Sequence, residues 1–551
     1  MKPTVLVVPI LLVEACTTPP PPTRPTIAQQ ADSIARIFEV PVAYAPRVLD
    51  SATVLAFAGQ HPGDSAAISD FYRRRGFHYA WFIGDSVGIA ARNVLNLFPA
   101  SDTAGGISSV PGRTGLQRLL MRMDTLQFTD SLRAATELAL TAGFFQAANA
   151  KYGGIIQRDP RELEWYIPRK KKNYDRLLDS LVAGVNDLTP IEPLSPQYTR
   201  LKNALKFYAS LDTLPWPTIA WKKGRTPGDS LLALLRSRLV LLGDLPTVAD
   251  SLIGDSLFAA GVMSAQHRFG LKETGEPDPD LLAELNVPPA DRQRQILLNM
   301  ERQRWLPARP DSNGIMVNIP AYRMLVYEEG HIAWTMNVVV GADASRTVMF
   351  SGDLSQVVMA PYWNIPQSII RSEILPAVKR NPGYLARKNM EVVMGGQVVP
   401  ASSIDWKKYT KGVPFTIRQK PGPGNALGRV KFLFPNSYSI YFHDTPAKDK
   451  FLRDQRAFSH GCVRLSEPLR LAKYLLRNDS AWTPERINTA MNAKTETTVR
   501  LKKPVPVVLG YFTAWVDRDG IVSFRRDVYG HDARLAAELF AGEGGAQASV
   551  R

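Results

Sequence analysis

The chain has 551 residues, 45% of them hydrophobic and 21% charged, which excludes an intrinsically disordered protein and, at this length, a single ordinary core. Lysine and arginine number 67 against 51 aspartates and glutamates, a formal net charge of +16. That excess suits polyanionic surroundings such as nucleic acid, anionic lipid or an acidic wall polymer, but no dense basic helix or zinc-finger spacing points to nucleic acid. The one basic run, "PRKKKNYDR" near Lys170, reads as a solvated loop.

Residues 1–16, "MKPTVLVVPILLVEAC", place one early lysine before a short apolar run that ends at Ala15 and Cys16. The run is far shorter than the roughly 20 apolar residues of a spanning helix and reads as an export signal. An apolar run ending at a cysteine, followed by "TTPPPPTRPT", resembles a bacterial lipoprotein signal. The resemblance implies a lipidated Cys16, a proline-rich tether over residues 17–32 and a periplasmic, membrane-anchored protein. Plain cleavage and an uncleaved anchor are the alternatives. The chain has two cysteines. In an oxidising compartment cysteines pair, and with Cys16 removed or acylated, Cys462 has no partner.

Residues 33–251 read as a mainly helical scaffold. "DSLRAATELALTAGFFQAANAKYGG" sets Leu132, Leu138, Leu140 and Phe144 among good helix formers and ends in glycines, and "PQYTRLKNALKFYASLDTL" and "DSLLALLRSRLVLLGDL" repeat the type. Nothing there carries recognisable chemistry. Residues 252–290 alternate short amphipathic helices with the turn-rich "KETGEPDPD". They resemble a small helical peptidoglycan-binding module, whose pattern Gln266, Gly270, Leu271 and Asn286 match. Three small linker helices would look much the same. Residues 291–312 read as a connecting helix ended by Pro307.

From residue 313 the period changes to two. "GIMVNIPAYRMLVYEEGHIAWTMNVVVG" predicts a hairpin about Glu328, Glu329 and Gly330, and "GRVKFLFPNSYSIYFHDTP" predicts two strands joined at "PNS". The first would bury Val430, Phe432 and Phe434; the second would place Tyr438, Ile440 and Phe442 on one face and Tyr441 on the other. A Pro- and Gly-rich insert of about residues 366–428 interrupts this sheet, long enough to be a lid or a small subdomain. A helix after Pro468 closes the domain near residue 493, and residues 494–551 read as a β-rich tail. The expected fold class is therefore multidomain α+β.

His443 ends the predicted strand, and Cys462 follows 19 residues later, after a loop carrying Lys448, Lys450, Arg453 and Arg456. If the loop returns the chain to the strand end, the imidazole can take the thiol proton, and an adjacent imidazolium would lower the thiol pKa. Gly461 permits a tight turn, and main-chain N–H groups of Gly461 and Cys462 would face a developing oxyanion. The plainer alternatives are a cysteine that is a small buried hydrophobe and a His443 that only caps a strand. A zinc site of His443, His460 and Cys462 lacks a paired CxxC and an obvious fourth ligand, so no metal is expected.

"YFHDTP" followed by "RAFSHGCVRL" resembles the signature of the L,D-transpeptidase catalytic domain, the YkuD fold. "NIPAYRMLVYEEG", "PYWNIPQSI", "PGPGNALGRVKFLFPN" and "TAWVDRDG" are similar to the large YcbB-like branch, in which a helical region and a binding module precede the catalytic domain. The resemblance implies Cys462 as nucleophile and His443 as general base and acid. His460, Ser459, Gly461 and Arg464 would be supporting residues, Arg464 with a planar fork suited to a carboxylate. Tyr441 and Asp444 would flank and orient the base, and the insert would cap the cleft. It implies a thioester acyl-enzyme made from a donor tetrapeptide of peptidoglycan with release of D-alanine, and cross-linking to an acceptor stem, with no cofactor. Wall-synthesis enzymes are the implied partners. Hydrolysis, D-amino-acid exchange or a vestigial wall-binding lipoprotein are the alternatives.

Overall fold

The computed structural model describes residues 45–97, 113–125, 129–156, 159–169, 172–188, 191–220, 229–246, 255–306 and 313–541. Cys16, the signal-like run 1–16, the tether 17–32 and Pro307 lie outside them. The chain divides into two compact units. One comprises residues 1–95, 116–142 and 175–190; the other comprises 96–115, 143–174 and 191–551. The expected scaffold of residues 33–251 is therefore not one body: part of it folds with the sheet that follows.

The first unit is built from short helices, Ser51–Gly59, Ser65–Arg74 and Asp175–Val182, and the first part of Asp130–Ala148. Asp50 caps the first of these by accepting the N–H groups of Ala52 and Thr53. Leu177, Leu178 and Leu181 form the buried face of another, at the spacing a helix requires. A two-strand ribbon, β1 (Phe82–Ile83) and β2 (Ser86–Val87), is tied to the helix Asp130–Ala148 by a buried carboxylate. Glu137 accepts from Ala80 N at 2.6 Å, Trp81 N at 3.0 Å and the Tyr72 hydroxyl at 3.1 Å. Burial pushes its pKa up to about 7 against these donors, so the group is structural polar glue.

The second unit holds a nine-stranded sheet. Its strands are β3 (Gly314–Asn318), β4 (Arg323–Glu328), β5 (His331–Gly341), β6 (Phe350–Met359), β11 (Val430–Leu433), β12 (Phe442–His443), β13 (Ala457–Ser459), β14 (Val463–Leu465) and β15 (Thr497–Gly510). The order is β13-β5-β14-β12-β11-β6-β15-β3-β4, and β4 also pairs with β5, so the sheet closes on itself through β5. The β4–β5 hairpin turns at Glu329 and Gly330, both at positive φ (49° and 78°), the geometry a two-residue turn demands.

Three expectations need correction here. Residues 494–510 are no tail: β15 lies inside the sheet, parallel to β3 and antiparallel to β6. Its alternating Val499, Leu501, Val507 and Leu509 enter the main core, and the helix His531–Leu539 follows further along the chain. The strand expected before His443 is only β12. Asn436 replaces it with a loop, accepting from Tyr438 N and Ile440 N and donating to Phe434 O and Ile440 O, while Ser439 turns at φ 57°. Nor is the helix Pro289–Trp305 a mere connector. It is buried along most of its length, and its polar residues find distant partners: Asn299 with Thr513, Glu301 with Ile155 N and Ile156 N, Arg302 with Asp532, and Gln303 with Ser195.

The insert is a subdomain with its own core. Strands β7 (Trp363–Asn364), β8 (Met390–Met394), β9 (Gln397–Val399) and β10 (Thr416–Gln419) form a second sheet in the order β7-β10-β8-β9, over Ile370, Ile374, Leu375, Trp406 and Phe415. The helices Asp255–Phe269 and Pro279–Asn286 of residues 252–290 share a core with Pro196–Leu211 and the terminal ribbon β16 (Ala514–Val516) and β17 (Val522–Phe524). They are thus not a free-standing module. No helix of the described residues is long and apolar enough to cross a membrane.

Candidate active site

Strand register assembles the site. β12 runs parallel to β14, Phe442 opposite Val463 and His443 opposite Arg464. Phe442 and Val463 are fully buried in the main core, so by the alternation of a strand Tyr441, His443, Cys462 and Arg464 share the other face. The sheet therefore brings together residues 19 or more apart in sequence.

His443 is buried, and its Nδ1 lies 2.5 Å from the Asp444 carbonyl oxygen. A carbonyl only accepts, so Nδ1 carries the proton and Nε2 keeps its lone pair. Asp444 acts on the ring through its main chain. Its carboxylate is occupied elsewhere, accepting from Arg429 N at 2.9 Å, Thr445 N at 2.7 Å and Lys448 Nζ at 2.6 Å. Gly428, at φ 61°, has to be a glycine, because a Cβ there would overlap that carboxylate. Tyr441 flanks the ring at 5.7 Å between centroids.

Cys462 is half-buried and is the free cysteine of the described residues. Its thiol faces the Ser439 carbonyl at 3.6 Å and the main-chain N–H and hydroxyl of Tyr441. Burial raises its pKa above the ordinary thiol value, with Tyr441 and Arg464 opposing the rise. Burial also lowers His443 to about 4, Arg464 adding to the effect. The expected imidazolium holding a preformed thiolate is thus not what this environment favours: both groups are neutral at neutral pH, because desolvation outweighs the neighbouring charges. Arg464 is half-buried, and its Nε, a buried atom, has no hydrogen-bond partner.

The turn between β13 and β14 is closed by Ser459, which is buried. Its Oγ donates to the Cys462 carbonyl at 2.6 Å and accepts from Gly461 N at 3.1 Å. The Gly461 N–H, expected to face an oxyanion, is therefore already used, while Gly461 takes φ 109°, a conformation that favours glycine. His460 is 61% exposed, with Nε2 3.6 Å from Glu373 of the insert.

Sequence reading missed Ser439 and Asn436, which shape the thiol's loop, and Glu373 and Gly428. The "PNS" turn signal contains Asn436, but nothing local reveals that its amide replaces four residues of strand. A polar hollow of about 330 Å3 in the insert is lined by residues including Asn364, Gln367, Thr416 and Arg418. None of the residues around Cys462 line it, so it is separate from the thiol.

Residues 312–506 match the family model described as the L,D-transpeptidase catalytic domain, YkuD, and residues 66–205 match one described as a scaffold domain. The chain is 37% identical over 243 residues to the "Putative L,D-transpeptidase" of Haemophilus influenzae, covering 44% of this chain and 49% of that protein. The chain thus spans about half the length of the curated relative it matches. Among solved structures, an L,D-transpeptidase from Xylanimonas cellulosilytica matches at 16% identity over 54% of this chain and all of the other, with a TM-score of 0.18. The Ldtfm-avibactam carbamoyl enzyme matches at 11% identity over 56% of this chain and 98% of the other, with a TM-score of 0.16. At these scores neither superposition carries an argument.

Proposed function

We propose that the chain, whose residues 312–506 are a YkuD-type L,D-transpeptidase catalytic domain, is a cysteine acyltransferase that cross-links peptidoglycan stem peptides. The observation that carries this reading is the shared face of Tyr441, His443, Cys462 and Arg464, with the Nδ1–H of His443 spent on Asp444 O and Nε2 left as a base. The thiol and imidazole start neutral. As Cys462 Sγ attacks the carbonyl of the third residue of a donor tetrapeptide, Nε2 takes the thiol proton and then gives it to the departing D-alanine amine. A thioester remains. The amine of an acceptor stem attacks it, His443 removes a proton from that amine, and the thiol is regenerated as the amide forms.

Tyr441 donates toward the sulfur and suits the developing oxyanion, since the Gly461 N–H is committed. The half-buried guanidinium of Arg464, on the same face as the thiol, suits a stem carboxylate. The reaction requires no cofactor. The insert, which reaches the nucleophile turn through Glu373 and His460, acts as the cap. Residues 252–290 serve as a wall-binding element, although Gln266 and Asn286 are not its ligand contacts. Their amides are spent on Thr274, Gly275, Glu276 and Ile219. The basic chain, exported and anchored through Cys16, would work in the periplasm against acidic stems.

The test is incubation with disaccharide-tetrapeptides and, separately, with a carbapenem, read by mass spectrometry. Release of D-alanine with formation of dimers, and a covalent adduct that disappears in Cys462→Ser and is slowed in His443→Ala, are expected. Tripeptide monomer as the sole product would overturn cross-linking in favour of hydrolysis. An unmodified wild-type protein would overturn the nucleophile.

A further inference from the structure

The segment between β5 and β6, residues 341–347, wraps the turn that carries Cys462. The Ala342 N–H and the Ser345 hydroxyl each donate to the Ser459 carbonyl at 2.9 Å. The Thr347 hydroxyl donates to the Gly461 carbonyl at 2.8 Å and accepts from Gly341 N at 2.8 Å. Gly341 leaves no room for a side chain, since a Cβ there would overlap the Ser345 carbonyl. Tyr529, far along the chain, closes this cradle at both ends: its hydroxyl donates to the Gly341 carbonyl at 2.5 Å and accepts from Thr347 N at 3.4 Å. Tyr529 is held in turn, its N–H donating to the Tyr511 hydroxyl at 2.9 Å, which donates to Asp527 at 2.6 Å. Tyr529 and its supports lie beyond residue 506, where the catalytic-domain match ends.

We infer that Thr347 and Tyr529 are positioning residues for acyl transfer: together they lock the Ser459–Cys462 turn and so fix where the thiol sits against Tyr441. The inference rests on Cys462 being the nucleophile. Its physical basis is the position of Gly461, which precedes the thiol directly, has no side chain to anchor it, and sits at φ 109°. Its N–H is held by Ser459 and its carbonyl by Thr347. Freeing the carbonyl lets the peptide rotate and carries Cys462 with it. The C-terminal segment thereby becomes part of the reaction's geometry.

The experiment uses the full chain and the variants Thr347→Val, Thr347→Ser and Tyr529→Phe. Two quantities are read: the rate of carbapenem acylation, and the pH midpoint of Cys462 alkylation by iodoacetamide, followed on its own peptide. Val and Phe are expected to slow acylation by about 10-fold to 100-fold, while Ser, which keeps the hydroxyl, stays within about threefold of wild type. The alkylation midpoint should fall toward that of an ordinary thiol in Thr347→Val, because a loosened turn admits water to a thiol whose pKa burial now raises. A merely structural role would lower the melting temperature yet leave both readings of the folded protein unchanged, and that result overturns the inference. If Thr347→Val does not fold, Tyr529→Phe, which keeps the ring, decides alone: wild-type acylation and midpoint overturn it. A wild type that is never acylated, with variants whose alkylation midpoint still shifts, would sink the nucleophile reading while upholding the coupling.

Discussion

Strands β11, β12 and β14 bury Phe432, Phe442, Val463 and Leu465 on one face, whereas the helix Pro289–Trp305 buries Asn299, Glu301, Arg302 and Gln303 beside Ile296 and Leu298. The strands are held by water's exclusion from apolar area, which is non-directional and needs only the right period. The helix is held by polar pairs with partners such as Asp532 and Thr513, more than 200 residues away, tolerable because they are satisfied, although Gln303 Nε2 is buried without a partner. Equal burial can therefore rest on unequal tolerance to change. An apolar face degrades gradually, while a buried polar pair fails when one member is removed.

That contrast breaks first at its strongest points. Arg302→Ala strands the buried Asp532 carboxylate and is expected to cost about 3–5 kcal/mol in urea unfolding. Phe442→Ala opens a core cavity at a similar cost of about 3–5 kcal/mol. They separate on repair: Arg302→Met combined with Asp532→Leu should recover most of the loss, since an apolar pair can replace a buried ionic one. A double variant no more stable than Arg302→Ala would mean that the two regions do not differ in this way.

Acid sharpens the comparison next. His443 on the site face and His531 in the C-terminal segment are both lowered to about 4, burial being the main cause in each. Unfolded, each would titrate near 6.5, so between those values the unfolded chain holds more protons. Stability is then complete above about pH 6.5 and declines as pH falls toward 4, by at most about 3 kcal/mol per histidine. Urea midpoints at pH 7 and pH 4.5 check this, and equal midpoints would show the imidazoles to be solvated. The smallest effect belongs to the surface. Arg477 and Glu328 pair at 3.0 Å but are each about two-fifths exposed, so Glu328→Gln should cost no more than about 1 kcal/mol. A loss as large as that of Arg302→Ala would put surface ion pairs on the same footing as buried ones.

Much of this was legible in the chain itself. The alternation through residues 430–434, the Glu329–Gly330 turn and the helix after Pro468 are local signals, and the structure contains each of them. The approach of His443 to Cys462 was legible as a spacing, but the parallel pairing of β12 with β14 that puts them on one face was not. Asn436 hid the loop before β12, because an amide that substitutes for ladder bonds leaves no periodicity to read. The helix Pro289–Trp305 read as a connector because the partners that bury it, such as Thr513 and Asp532, lie outside any local window.

Residue types and spacing were enough to set a thiol within reach of an imidazole, and the motifs around them to suggest the family of the domain. They could not supply the protonation states, which depend on how much water burial removes from Cys462 and His443. Nor could they supply the base's hydrogen-bond partner, a main-chain carbonyl that every residue possesses. They left the C-terminal residues as a tail, although β15 completes the sheet and Tyr529 closes the cradle beneath the nucleophile turn. Local pattern follows from short-range sterics and hydrophobic period, but proton affinity and hydrogen-bond partnership are set by contacts between segments far apart in the chain.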